Sequence, residues 1–237
     1  MREYSRLPRA IMRPLQITAM LQSPVISDES LPIDGILRAA MMRDAYGEQT
    51  YTVAGDGREH GSGVSLPIAR CEEQGPQWYY AASWAQWPQA VAYGKDHWNK
   101  RIDMPLSGMI DFTGKRGRIE VSSGRYKSFH MPVFYRHAQI VWWYVLGHAP
   151  ALRLILPHCT HLGKKVSQGW GSVLSWSVDE IEADLSVRQR SGEPNRAIPS
   201  PAGTVLIGFR PSYWNPQNQA LCEIPPLRDG CGSEETN

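Results

Sequence analysis

Residues 163–171 read GKKVSQGWG and stand between two different periodicities. Upstream, Leu152, Leu154, Ile155 and Leu156 follow Pro150 at helical spacing, and Pro157 keeps that helix short. Downstream, Val173, Ser175 and Ser177 alternate with Leu174, Trp176 and Val178, the period of a strand. The loop therefore runs from helix into strand. A phosphate-binding loop and a dinucleotide fingerprint both run from strand into helix, and no Gly-Lys-Ser/Thr closes this one, so both motifs are excluded. Gly163, Gly169 and Gly171 permit positive φ and let backbone N–H groups approach a ligand. Lys164 and Lys165 add positive charge, and Trp170 has room to stack on a ligand or to wedge against a sheet.

The rest of the chain supplies the elements around this loop. Leu15, Ile17, Ala19 and Leu21 alternate with Gln16, Thr18 and Met20, which predicts a strand. Pro24 and the run Ser27-Asp28-Glu29-Ser30 end it and offer capping groups. Ile33, Ile36, Leu37, Ala40 and Met41 predict a helix over 32–45 that Gly47 stops. Residues 54–65 form a glycine-rich connection. Trp78–Trp87 is read as a second strand, with Trp78, Tyr80, Ala82 and Trp84 facing one way. The run IVWWYVL at 140–146 is too short for a typical helix and fits a buried strand. A short strand over 204–209 is flanked by proline-rich segments. The order strand, helix, strand, basic insertion, strand, helix, glycine loop, strand is that of an α+β, ferredoxin-like (RRM-like) βαββαβ core with an inserted β-hairpin. The expected layout is one domain over 1–237. Its core covers about 14–180, the insertion about 94–136 and a Pro-rich extension about 190–237. One four-stranded sheet would carry its helices on one face.

Formal charge is only +2, so the global balance does not mark a nucleic-acid binder. The charge is segregated, however. Between Gly94 and Arg136 nine cations (Lys95, Lys100, Arg101, Lys115, Arg116, Arg118, Arg125, Lys127, Arg136) stand against four acids. Gly114–Arg118 reads as a cation-bearing hairpin tip. Such a run is either a solvated loop or a phosphate track whose interleaved Trp98, Tyr126 and Phe129 stack bases.

Other chemistry is thinly represented. Cys71, Cys159, Cys222 and Cys231 are widely spaced and form no CxxC pair, which predicts reduced thiols and a cytoplasmic setting. His158, Cys159 and His161 offer at most three zinc ligands without a second pair, so neither metal nor cofactor is expected. A metal-independent ribonuclease would draw on His130, His137, His148, His158 or His161, with Tyr126, Tyr135 and Lys127 near the first two. Nothing in the sequence fixes their geometry, and the expectation is a protein that is not an enzyme. The N-terminal stretch lacks the apolar core of a signal peptide. His148, Pro150 and Arg153 interrupt the most hydrophobic segment, so no membrane association is expected.

Several stretches resemble the RAMP proteins of CRISPR systems, and among them the type IV effector subunit that binds the 5′ handle of the guide RNA. They are LQITAMLQSPVISDESLPIDGILRAA, HWNKRIDM, HLGKKVSQGWGSVLSW, NRAIP and RPSYWNP. The resemblance implies a ferredoxin-like fold and a crRNA-binding role without catalysis in a prokaryotic ribonucleoprotein. It implies backbone RAMP subunits and a large subunit as partners, and target DNA reached through the complex. Carried onto this chain, Gly163, Lys164, Lys165, Gly169, Trp170 and Gly171 would contact the handle, with Lys100 and Arg101 in a matching basic stretch. Arg116, Arg118 and Lys127 extend the same surface on grounds of charge alone. The alternatives are a repeat-processing endoribonuclease of the same superfamily and a stand-alone RNA-binding protein.

Overall fold

The computed structural model describes residues 11–47, 64–72, 77–89, 91–101, 122 and 127–226. The glycine-rich stretch up to residue 63 and the tip at 114–118 lie outside them. The first strand, β1 (Arg13–Leu21), buries Leu15, Ile17 and Ala19, as its alternation requires. Helix α1 (Ile33–Tyr46) lays Ile33, Leu37, Ala40 and Met42 in the same core, with Ile36 and Met41 only partly covered. Gly47, at φ 55°, ends it. Its N-cap is Pro32, without a side-chain cap. Asp28 and Glu29, expected to serve as caps, pair instead with Lys164 and Arg136.

Strand β6 (Ile140–Gly147) pairs antiparallel with β1, and so does β7 (Val173–Glu180), giving the order β6-β1-β7. Helix α2 (Ala149–Ile155) starts at Pro150 and runs into a short 3-10 turn, Leu156–His158. Arg153 donates from Nη2 to the Val178 carbonyl at 2.6 Å and so ties α2 to β7. Trp143, fully buried at the centre, donates its indole N–H to the Leu31 carbonyl at 2.8 Å. That bond satisfies the polar edge of an otherwise apolar side chain.

The alternation in β7 breaks at one point. Met20 lies opposite Ser175 but Leu21 lies opposite Val173, so Leu174 is the extra residue of a bulge. The bulge turns Val173 toward the core and leaves Leu174 exposed, which the simple alternation places the other way round.

The segment expected as one strand over 78–87 is divided. Only β3 (Trp78–Tyr80) is regular, paired with β2 (Arg70–Glu72). Residues 81–86 then follow β6 through isolated bridges, Ala82 to Val145 and Gln86 to Trp142. The ladder fails between them because the Ser83 hydroxyl, not a main-chain carbonyl, accepts the Tyr144 N–H at 2.9 Å. The two faces of this segment serve two cores. Trp78, Tyr80 and Ala82 join the main one, whereas Trp84 joins Tyr79 in a second.

That second core belongs to the proline-rich region, which forms a small sheet rather than a single strand. β8 (Ile198–Pro199), β10 (Gln219–Glu223) and β9 (Val205–Gly208) lie in the order β8-β10-β9. Arg196 anchors the region from within. Its buried guanidinium donates to the carbonyls of Tyr80, Ala82 (3.0 Å) and Phe209, and lies 3.7 Å from Asp34 Oδ2. Tyr213 donates its hydroxyl to Asp34 Oδ1 at 2.5 Å. Desolvation pushes the Asp34 carboxyl up while Arg196 pulls it down, and desolvation also raises the Tyr213 phenol well above its usual value. Among the described residues no helix is long and apolar enough to cross a membrane.

This node sets a ranking of stabilities. Asp34→Ala leaves a buried guanidinium without its counter-charge and is expected to cost about 3–5 kcal/mol. Tyr213→Phe removes one hydrogen bond to a charged group and is expected to cost about 1.5–3 kcal/mol. Thermal denaturation followed by circular dichroism should show both, at roughly 2–4 °C per kcal/mol for a chain of this size.

Candidate nucleic-acid interface

The charged insertion is a long hairpin. β4 (Ala92–Lys100) and β5 (Phe129–His137) pair in register from Ala92 opposite His137 to Lys100 opposite Phe129. Its root is fastened to the β1–α1 connection: Val25 and Arg136 exchange both main-chain hydrogen bonds, at 2.8 and 2.9 Å. Arg136 itself is buried. It pairs with Glu29, donates to the Asp28 carbonyl at 3.3 Å and lies over the rings of Trp87 and Tyr93. Counted in the sequence among the cations of a phosphate track, Arg136 is a structural anchor, because its charge is matched by Glu29 and closed off from solvent.

The glycine loop packs against the same β1–α1 connection. Gly163, Gly169 and Gly171 all have positive φ, at 78°, 87° and 71°. A Cβ at Gly163 would stand 2.2 Å from the Ile26 carbonyl oxygen, and one at Gly171 would stand 1.9 Å from that of Leu162. A Cβ at Gly169 would meet nothing within 4 Å. Two of the three glycines are thus required by the protein's own backbone. The loop amides tell the same story. Lys164 N–H donates to Ile26 O, Gly171 N–H to Pro24 O, Gly169 N–H to Val166 O and Ser172 N–H to Ser23 Oγ. These four amides, in a loop expected to turn its N–H groups to a ligand, are used internally.

Those side chains converge on the hairpin. Lys165, itself at φ 59°, places Nζ 3.5 Å from the centroid of the Trp98 ring. Trp170 lies 5.0 Å from Tyr135, tilted at 39°. Lys164 pairs with Asp28 at 2.7 Å, both well exposed. Lys100 and Lys127 place their ammonium groups 5.7 and 5.6 Å from the Phe129 ring, and Arg101 is exposed just beyond β4. Of the positions singled out in the sequence, Lys100, Arg101, Lys127 and the loop set therefore belong to one neighbourhood. Arg116 and Arg118 lie outside the described residues. Sequence reasoning missed Tyr135 as the partner of Trp170 and the segment 23–28 as the seat of the loop. The Ser-Pro turn at 23–24 was the visible signal for the second.

The histidines are scattered by comparison. His97 and His130 stack on each other at 4.4 Å, and His130 Nδ1 lies 2.5 Å from Asn99 Oδ1. His148 is buried at the start of α2, and His161 Nδ1 contacts Thr160 Oγ1 at 3.0 Å. Burial pushes the Cys159 thiol up to about 11. Among the described residues no group of three or more His, Cys, Asp or Glu is placed to hold a metal ion.

The three glycines separate in their expected sensitivity. Gly169→Ala should lose only the left-handed penalty of about 1–2 kcal/mol. Gly171→Ala should lose clearly more, since its Cβ would strike a main-chain oxygen. Denaturant titration that ranks the two substitutions equally would contradict this packing.

A family model described as CRISPR type IV associated protein Csf3 matches residues 13–225. No curated protein matches the chain.

Proposed function

Because this chain belongs to the CRISPR type IV associated Csf3 family, we propose that it is the crRNA-binding subunit that caps the 5′ handle of the guide in a type IV ribonucleoprotein. In this reading it contacts backbone RAMP subunits and a large subunit, reaches target DNA through the complex by guide pairing, and catalyses nothing itself. The core is read as ferredoxin-like. Its support is the order of residues 81–86, β6, β1 and β7 across one antiparallel layer, with β4 and β5 inserted before β6.

The observation that carries the RNA reading is the meeting of two distant segments: Lys165 of the glycine loop on Trp98 of the inserted hairpin. Cations beside aromatic rings on one surface suit a single-stranded polyanion, where ammonium groups neutralise phosphates and rings receive bases. Lys164, Lys165, Lys100, Arg101 and Lys127 supply the charge, and Gly163, Gly169 and Gly171 set the loop's path. A cleaving enzyme of the same superfamily would need an imidazole beside this surface. Yet His130 is stacked on His97, and the register places both, with Asn99, on the face of the hairpin opposite Trp98.

Two measurements test the proposal. Protein purified with its complex should carry a short RNA of uniform 5′ end, and random ends would overturn the capping role. The double substitution Lys164→Ala/Lys165→Ala should weaken RNA binding and flatten the log–log salt dependence by about 0.7 for each lysine that meets a phosphate. Labelled repeat RNA should stay intact with the purified protein, and cleavage abolished by His161→Ala would establish the nuclease instead.

A further inference from the structure

The hairpin has two faces of different character. Gly94, Trp98 and Lys100 share one face with their partners Tyr135, Met131 and Phe129. Tyr93, Lys95, His97 and Asn99 share the other with Arg136, Phe134, Pro132 and His130. On the second face the imidazoles of His97 and His130 already cover each other, and Arg136 lies over Tyr93. On the first, Trp98 and Phe129 lie nearly parallel, 6.2 Å apart at 17°, half-buried, with Met131 exposed beside them. Their ring neighbours are lysines: Lys165 over Trp98, and Lys100 and Lys127 over Phe129.

The energies of the two possible occupants differ. A lysine over an exposed ring contributes about 0.5–1 kcal/mol. A nucleobase on the same ring contributes about 1–3 kcal/mol, and an ammonium released from a ring can pair with the adjoining phosphate. Exchange of ammonium for base is therefore downhill on both counts. Tyr135 behaves differently. A Cβ on Gly94 would stand 2.2 Å from the Tyr135 ring, so that ring lies flat across the glycine and is fixed there, with Trp170 closing on it.

We propose that Trp98 and Phe129 form a two-ring stacking site for unpaired RNA bases, in which Lys165, Lys100 and Lys127 occupy the ring faces until RNA arrives and then move to the flanking phosphates. Tyr135 and Trp170 hold the hairpin against the loop and position this site. The inference rests on the RNA-binding reading above, and it assigns base stacking to hairpin residues rather than to the glycine loop.

The test uses fluorescein-labelled single-stranded RNA of mixed sequence, titrated at several salt concentrations. Trp98→Leu and Phe129→Leu are each expected to weaken binding about tenfold, the equivalent of about 1.4 kcal/mol per base, with the salt slope unchanged. Trp98→Phe should restore most of the loss. Lys165→Ala should instead make the slope shallower. Wild-type affinity in both leucine variants overturns the stacking site while leaving RNA binding intact. Failure of the wild-type protein to bind any RNA overturns both. Should a leucine variant not fold, the wild-type protein decides alone: 2-aminopurine in the bound RNA is expected to be quenched on binding, and unchanged emission at saturation overturns the site.

Discussion

The guanidinium of Arg196 is the interaction on which the rest of the architecture depends. It sits at 2 % exposure and reaches three separate parts of the chain. It holds the carbonyls of Tyr80 and Ala82 beside the main sheet, that of Phe209 after β9, and the carboxylate of Asp34 in the first turn of α1. A buried cation is tolerated only when acceptors surround it and a counter-charge stands close. Here two of the acceptors come from backbone at and just beyond the end of β3, where regular pairing has stopped. Asp34 Oδ2 makes no hydrogen bond of its own, so its compensation is the nearby charge. A Cβ at Gly35 would stand 3.2 Å from the Tyr213 ring, and the Gly35 N–H donates to Asp34 Oδ1 at 2.9 Å.

This node also brings together three stretches, far apart in sequence, that carry the resemblance read from the sequence. Asp34, Arg196 and Tyr213 belong to PIDG, NRAIP and RPSYWNP, and they meet in one buried cluster. Their role is to join the small sheet to α1. The other two stretches, HWNKRIDM and HLGKKVSQGWG, meet in the second shared place, where Lys165 lies over Trp98. The stretches that carry the resemblance thus divide between a structural node and a surface that bears charge and aromatic rings.

The segment 23–28 connects the two. It receives the hairpin root through Val25 and Arg136 on one side, and the glycine loop through Pro24 and Ile26 on the other. Among the described residues, neither the hairpin nor the loop pairs its main chain with the β6-β1-β7 ladder, although β5 leads into β6 and the loop into β7. Their relative placement depends on this connection, and Gly163 and Gly171 are needed because the backbones pass too closely for a side chain.

The sequence by itself determined the elements whose hydrophobic period is unbroken. β1, α1, β6 and the short α2 with its proline start could be read from spacing, because burial of one face dictates which positions are apolar. It also determined that cations gather in one insertion and that the glycine loop is no nucleotide motif. Periodicity says by which face a side chain leaves the chain, and nothing about which distant segment comes to meet it. Only the tertiary structure decided that Arg136 is buried against Glu29 while Lys100 and Lys127 stay exposed, that Trp84 and Tyr79 belong to a second core, and that Leu174 is turned outward by a bulge. Only it decided that the Lys164 and Gly171 amides are satisfied within the protein, since their acceptors at Ile26 and Pro24 lie some 140 residues away in the chain. Long-range pairing of polar groups leaves no local pattern, and that pairing is what separates the cations buried within this fold from those at its surface.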